Sequence, residues 1–229
     1  MPALNTLAAP FFGTIFCALG QKMHAYFLTP RHSVILIISS AITQGMSIMV
    51  MPKGQSRPLT CGEVSLAKSV FKCGIIYSEV RIYHGSYFPF NMQSEDYAMA
   101  PNGNIYFMSK LYKDDFYIAF DTEQHIFIHE MAHIWQRQMG MSVRSRGLVS
   151  WAADYNYSLP NYHTLANYSM EQQAAIIADY FLLKRYGQAS WQKGRSMTGI
   201  VGPDLMEKYE NVLRYFLKDP RDRQSLWQR

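Results

Sequence analysis

"FIHEMAHIWQ", residues 127–136, sets two histidines four positions apart with a glutamate directly after the first. Thr122 can cap a helix ahead of this stretch, and Gly140 stands where a helix normally stops. Between them Phe127, Ile128, Met131, Ile134 and Trp135 recur at three- and four-residue intervals and give one apolar face. His129 and His133 then lie one turn apart and project from the same edge, a spacing that two nitrogen ligands of one zinc ion accept. Glu130 is turned about 100° around the axis, close enough to bond a bound water without ligating the metal itself. Two buried, hydrogen-bonded histidines would explain the same five residues, so a third ligand has to come from elsewhere in the chain.

The candidate third ligand is Glu171 in "NYSMEQQAAIIADYFLLKRYG" (167–187). Here Met170, Ala174, Ile177 and Phe181 form one helical stripe and Gly187 is the stop. Ala174, Ala175 and Ala178 share the face of Glu171, and small residues there let this helix come close to another. Two histidines and one glutamate leave the fourth zinc position open for water, the arrangement of a catalytic site. Asp179 and Asp154 are weaker alternatives, read instead as surface or capping acids. His125 reads as a helix-surface histidine, with site lining as the alternative, and His84 and His163 show no partner in the sequence.

The rest of the chain sets the frame. With 48% hydrophobic and 17% charged residues over 229 positions, it can bury a real core. Residues 1–56 hold Lys22, Arg31 and Lys53 and no acid, which leaves the remainder nearly neutral at 19 basic against 17 acidic side chains. No basic stripe or RNA-type aromatic motif supports nucleic-acid binding. Cys17, Cys61 and Cys73 form no CxxC; Cys61 and Cys73 either pair in an oxidising compartment or sit as small buried residues.

The run 33–51 is free of charge and about long enough to span a bilayer, though Ser, Thr, Gln44 and Gly45 dilute it. A weak membrane anchor, a docking segment and a dispensable extension are the three readings of 1–56, with the last two favoured. "MPKGQSRP" (51–58) marks the boundary of a second region, 57–229. That region opens on a capping box, Thr60 with Glu63, ahead of a helix through Phe71. "YSEVRIYHG" reads as a strand, "APNGNIYFM" as a turn feeding another, and "DDFYIAF" as a short third.

Residues 57–186 resemble the zinc metallopeptidase domain found at the C-terminus of some bacterial type VI secretion spike (VgrG) proteins and in stand-alone Vgr-related proteins. The resemblance is carried by "RPLTCGEVSLAKSVF", "VRIYHGSYFPFNMQ", "AMAPNGNIYF", "FIHEMAHIWQRQMG" and "MEQQAAIIADYF", in this order. It implies His129 and His133 as zinc ligands, Glu130 as catalytic base and Glu171 as third ligand. It further implies a toxin delivered into rival bacteria and acting in their periplasm, with a secretion spike and a cognate immunity protein as partners. In the ExxAD pattern of Glu-liganded zinc peptidases an acid follows the alanine, and Ala175 stands in its place here. The residue that orients a histidine from behind is therefore unassigned.

The expectation is an α+β, zincin-like metallopeptidase with an HExxH helix, a second ligand-bearing helix and a small antiparallel sheet. "APNGNIYF" is expected at the sheet edge beside the cleft, where an extended peptide adds its backbone. Tyr155, Tyr157 and Tyr162 are candidates for stabilising the oxyanion. Two rivals remain: a hydrolase of peptidoglycan peptides with the same zinc chemistry, and a non-catalytic zinc-stabilised binding module.

Overall fold

The computed structural model describes residues 51–143 and 154–227, all within a compact unit spanning Val50–Arg229. Nearly all of the N-terminal extension, including Cys17 and residues 33–50 of the apolar run, lies outside the described residues. Among the described residues no helix is long and apolar enough to cross a membrane.

The first tie in the fold is Glu63. Strand β1 (Ser56–Pro58) leads to helix α1 (Cys61–Phe71), and the two-way capping box is present: Glu63 N–H donates to Thr60 Oγ1 at 3.0 Å and Thr60 N–H to Glu63 Oε2 at 2.8 Å. The same carboxylate, fully buried, receives both guanidinium nitrogens of Arg57 at 2.7 Å and the Phe116 N–H at 3.0 Å. One acid thus joins β1, α1 and the 3-10 turn Phe116–Ile118. That turn occupies the stretch expected as a third strand. Asp115 caps it by accepting the Tyr117 N–H, and Phe116 packs face to face on Phe127.

Strands β2 (Arg81–His84), β3 (Ala98–Met99) and β4 (Ile105–Phe107) complete a sheet in the order β1-β2-β4-β3. The sheet is mixed, since β2 and β4 run parallel while the outer pairs are antiparallel. The expectation of an antiparallel sheet with "APNGNIYF" at its edge is corrected on both counts. β4 is interior, its three residues buried, and the edge is β3. A parallel β2–β4 pair needs the 20-residue connection between them, and β3 forms on its return. Residues 51–56, expected as boundary, are built into this body: Met51 O contacts His84 Nδ1 at 2.7 Å, and Gly54 N–H donates to His84 O.

Helices α2 (Asp121–Gln138) and α3 (Met170–Tyr186) form the centre. α2 starts ahead of Thr122: Phe120 is the N-cap residue, and Glu123 accepts its N–H at 3.0 Å. Its end is a Schellman turn on Gly140, whose φ of 96° suits glycine, with Gly140 N–H to Arg137 O and Met141 N–H to Gln136 O, both 2.9 Å. α3 is capped by Ser169 with Gln172 and stopped by Gly187 at φ 80°. Helices α4 (Gln188–Gly194), α5 (Leu205–Val212) and α6 (Arg214–Lys218) close the core behind α3. Trp135 is fully buried there, donating to Pro220 O at 2.8 Å and meeting Phe216 edge-on. Cys73 is a free, exposed thiol, so the Cys61–Cys73 pair is not formed, and neither cysteine is buried.

Arg57→Ala would strand the Glu63 carboxylate in the core. The expected loss is about 3 kcal/mol of unfolding free energy, read from urea melts, against under about 1 kcal/mol for the exposed pair partner Lys53→Ala.

Candidate metal centre

The pairs His133–Glu171 and His125–Asp179 fix α2 and α3 as antiparallel neighbours, because the numbers rise along one helix as they fall along the other. Ala174, Ala175 and Ala178 are buried in this contact and keep the axes close. Glu171 Oε2 lies 3.0 Å from His133 Nε2 and 3.4 Å from His129 Nε2, so the structure brings together three of the expected site residues. Zinc bonds of roughly 2.0–2.1 Å at tetrahedral angles separate ligand atoms by about 3.3 Å. The donor set therefore fits a tetrahedral cation. A hydrogen-bonded cluster accounts for both histidines on Glu171 but not for the placement of Glu130. Glu130 Oε2 is buried with no hydrogen-bond partner among the described residues. It faces a cavity of about 40 Å³ lined also by His133, Glu171, Tyr155 and β3 residues Ala98 and Met99, enough for a bound water.

Electrostatics follow from burial. Burial pushes the Glu130 carboxyl up to about 7, reinforced by Glu171 and opposed by His133. For His133 burial pulls down, but the adjacent Glu171 carboxylate prevails and holds it near about 9. Burial also works against ionised Glu171, yet His133 and His129 keep it well below the usual carboxylate range. His129 is lowered, chiefly by burial. Tyr155, half-buried among these acids, has its phenol raised by desolvation and then by Glu171 and Glu130.

The residue that orients His133 is Gln136, which sequence reading missed. His133 Nδ1 lies 2.8 Å from Gln136 Oε1, so it carries the proton, and Nε2 is left toward Glu171. Gln136 Nε2 in turn donates to Met170 O at 2.8 Å and Gln173 Oε1 at 3.0 Å. The signal was present: Gln136 stands three residues after His133, on its own face, and an apolar face is an odd place for an amide.

Asp179 corrects another expectation, for it is no surface acid. It is fully buried and accepts from His125 Nε2 at 2.8 Å, Tyr157 Oη at 2.5 Å and Ser196 N–H at 2.8 Å, away from the trio. His125 is accordingly paired with it and outside the site. Asp154 is exposed and caps a turn through the Asn156 N–H, as expected. His84 and His163 are remote: His84 is held by Met51 O and Ser109, and His163 stacks edge-on with Tyr162 and Tyr168.

With this geometry in hand, comparison with solved structures finds the effector domain of Pseudomonas aeruginosa VgrG2b, at a TM-score of 0.51 and 35% identity, covering 72% of this chain and 96% of that domain. The chain belongs to the VgrG2b effector-domain family. In the type VI secretion system spike protein VgrG2b of Pseudomonas aeruginosa, 161 residues align at 40% identity, covering 67% of this chain. The chain spans 16% of that spike protein's length. No family model matches it.

Two predictions come from this site. Gln136→Leu frees the His133 ring, and zinc affinity, measured by competition with a chromogenic chelator, should fall about 10–100-fold without unfolding the protein. The second concerns pH. A histidine raised in the folded state stabilises fully below its unfolded value of 6.5 and loses this as pH rises through about 9. A carboxyl raised to about 7 likewise stabilises below 4.5 and loses it through about 7. Depressed Glu171 acts oppositely, its contribution present above 4.5 and lost on acidification. Metal-free protein should therefore melt highest near about pH 5 and progressively lower to about pH 9, and Glu130→Gln should flatten the lower half of that fall. Saturating zinc should reverse the trend, because a metal displaces the proton from His133.

Proposed function

We propose that this member of the VgrG2b effector-domain family is a zinc-dependent metallopeptidase with a zincin-like, gluzincin-type site. The observation that carries the reading is one carboxylate oxygen, that of Glu171, at 3.0 and 3.4 Å from two histidine Nε2 atoms, beside the unpaired buried oxygen of Glu130. His129, His133 and Glu171 would hold the ion, and when bound it would supply Lewis acidity that polarises a carbonyl and acidifies water.

The chain's own groups do the rest. Gln136 keeps the His133 proton on Nδ1, leaving Nε2 as the ligand. Glu130 takes a proton from the attacking water and returns it to the leaving amine. A purely structural metal site has no use for this residue. The edge strand β3, unpaired on its outer side among the described residues and lining the same cavity as Glu130 and His133, suits an extended polypeptide that pairs by its backbone. This supports a peptide or protein substrate.

Family membership supports the biological setting: a secreted effector carried with a type VI secretion spike, acting in the target-cell periplasm, with an immunity protein guarding the producer. Purified wild type should contain one zinc per chain by elemental analysis, and His133→Ala and Glu171→Ala should lose it. Equal zinc in all three sinks the site. Glu130→Gln should retain zinc while losing activity by about 100-fold or more. Expressed with an export signal, wild type should be toxic and Glu130→Gln harmless. Equal toxicity of the two exported forms would exclude hydrolysis as the cause.

A further inference from the structure

Adding water to an amide carbonyl puts negative charge on the carbonyl oxygen, and such an oxygen needs a fixed donor in a water-poor site. Glu130 and Glu171 are acceptors, so neither can serve. The segment following Asp154 carries three tyrosines. Tyr157 is committed elsewhere, its hydroxyl 2.5 Å from Asp179 Oδ2 and 2.6 Å from Tyr209 Oη. Tyr162 is 81% exposed. Tyr155 differs from both. It lines the cavity with Glu130, His133 and Glu171, its ring centroid lies 5.9 Å from that of His129, and its hydroxyl makes no hydrogen bond among the described residues.

The chain directly after Tyr155 is held in place. Asn156 O accepts from Gln172 Nε2 at 2.7 Å, and Gln172 is the residue next to Glu171 on α3. Tyr157 is anchored through Asp179 on the same helix, and Tyr157 O accepts the Thr198 N–H at 2.8 Å. The placement of Tyr155 is therefore referred directly to the helix that presents the third ligand.

We propose that Tyr155 is a catalytic residue whose phenol O–H donates a hydrogen bond to the carbonyl oxygen of the scissile amide as that oxygen takes up charge. This rests on the metallopeptidase reading above. The water oxygen bonds to the carbonyl carbon, its proton passes to Glu130, and the carbonyl π pair moves onto the oxygen that Tyr155 contacts. When the C–N bond breaks, that pair re-forms the C=O bond and Glu130 delivers its proton to the departing nitrogen. Tyr155 keeps its own proton throughout.

Tyr155→Phe preserves the ring beside His129 and removes only the donor. The test compares zinc-loaded wild type with Tyr155→Phe by calorimetric titration with two probes. One is phosphoryl-leucyl-tryptophan, whose tetrahedral phosphorus presents an anionic oxygen in place of the carbonyl oxygen. The other is a thiol-capped leucyl-tryptophan, which offers sulfur to the metal and no such oxygen. Tyr155→Phe should keep its zinc and its Tm, bind the phosphoryl probe about 100-fold more weakly, and bind the thiol probe as wild type does. Equal phosphoryl affinity in the two proteins overturns the assignment, as does loss of zinc or equal weakening of both probes, which would make Tyr155 structural. A wild type that takes up no zinc overturns the metallopeptidase reading itself, and the assignment with it.

Discussion

Everything at the candidate site depends on the close antiparallel contact of α2 and α3. Glu171 can meet two histidines one turn apart only if its helix lies near the HExxH helix and in one register. Turning α3 by a single residue would swing Glu171 about 100° around its axis. Three contacts resist this: Glu171 with both histidines, Gln136 with Met170 O and Gln173, and Asp179 with His125 two turns along. The alanines allow the approach, and the buried polar pairs set the register, a division of labour expected where apolar packing alone is nearly indifferent to a slip.

The same contact concentrates charge. Two carboxyls and two imidazoles share one partly enclosed space, and burial disfavours their ionised forms unless they are paired. In the metal-free protein a proton on His133 meets the charge of Glu171, and Glu130 is driven toward its neutral form. A divalent cation would replace that proton and stabilise both acids ionised. The ionised form of Glu130 that burial disfavours would then be the stable one.

The sheet matters less for stability than for what it sets beside the helices. Because β4 runs parallel to β2, the chain must travel out and back between them, and its return forms β3 at the sheet's edge along the cavity. Glu63 and Arg57, far from the chemistry, hold β1, α1 and the turn that leads into α2 as one piece. The α2 entry is thereby fixed before the histidines appear.

Local signals made both helices legible from the sequence: apolar recurrence and the Gly140 and Gly187 stops. The four residues His129, Glu130, His133 and Glu171 were nameable because helical periodicity fixes which side chains share a face, and the structure does bring the three ligand candidates together. Strand order was not legible, since short apolar runs carry no record of their neighbours; a parallel pairing and a two-residue edge are decided by chain return. Local pattern could single out Gln136 as an amide on the His133 face, but it could not name the partner of Gln136, Asp179 or Tyr155. Each is a polar residue on or beside an apolar face, and whether it meets solvent, a histidine or a cavity depends on which element packs opposite. Residue spacing along a helix is a local constraint and can be read directly. Partners across the core are set by packing between segments distant in the chain, and only the tertiary structure decides them.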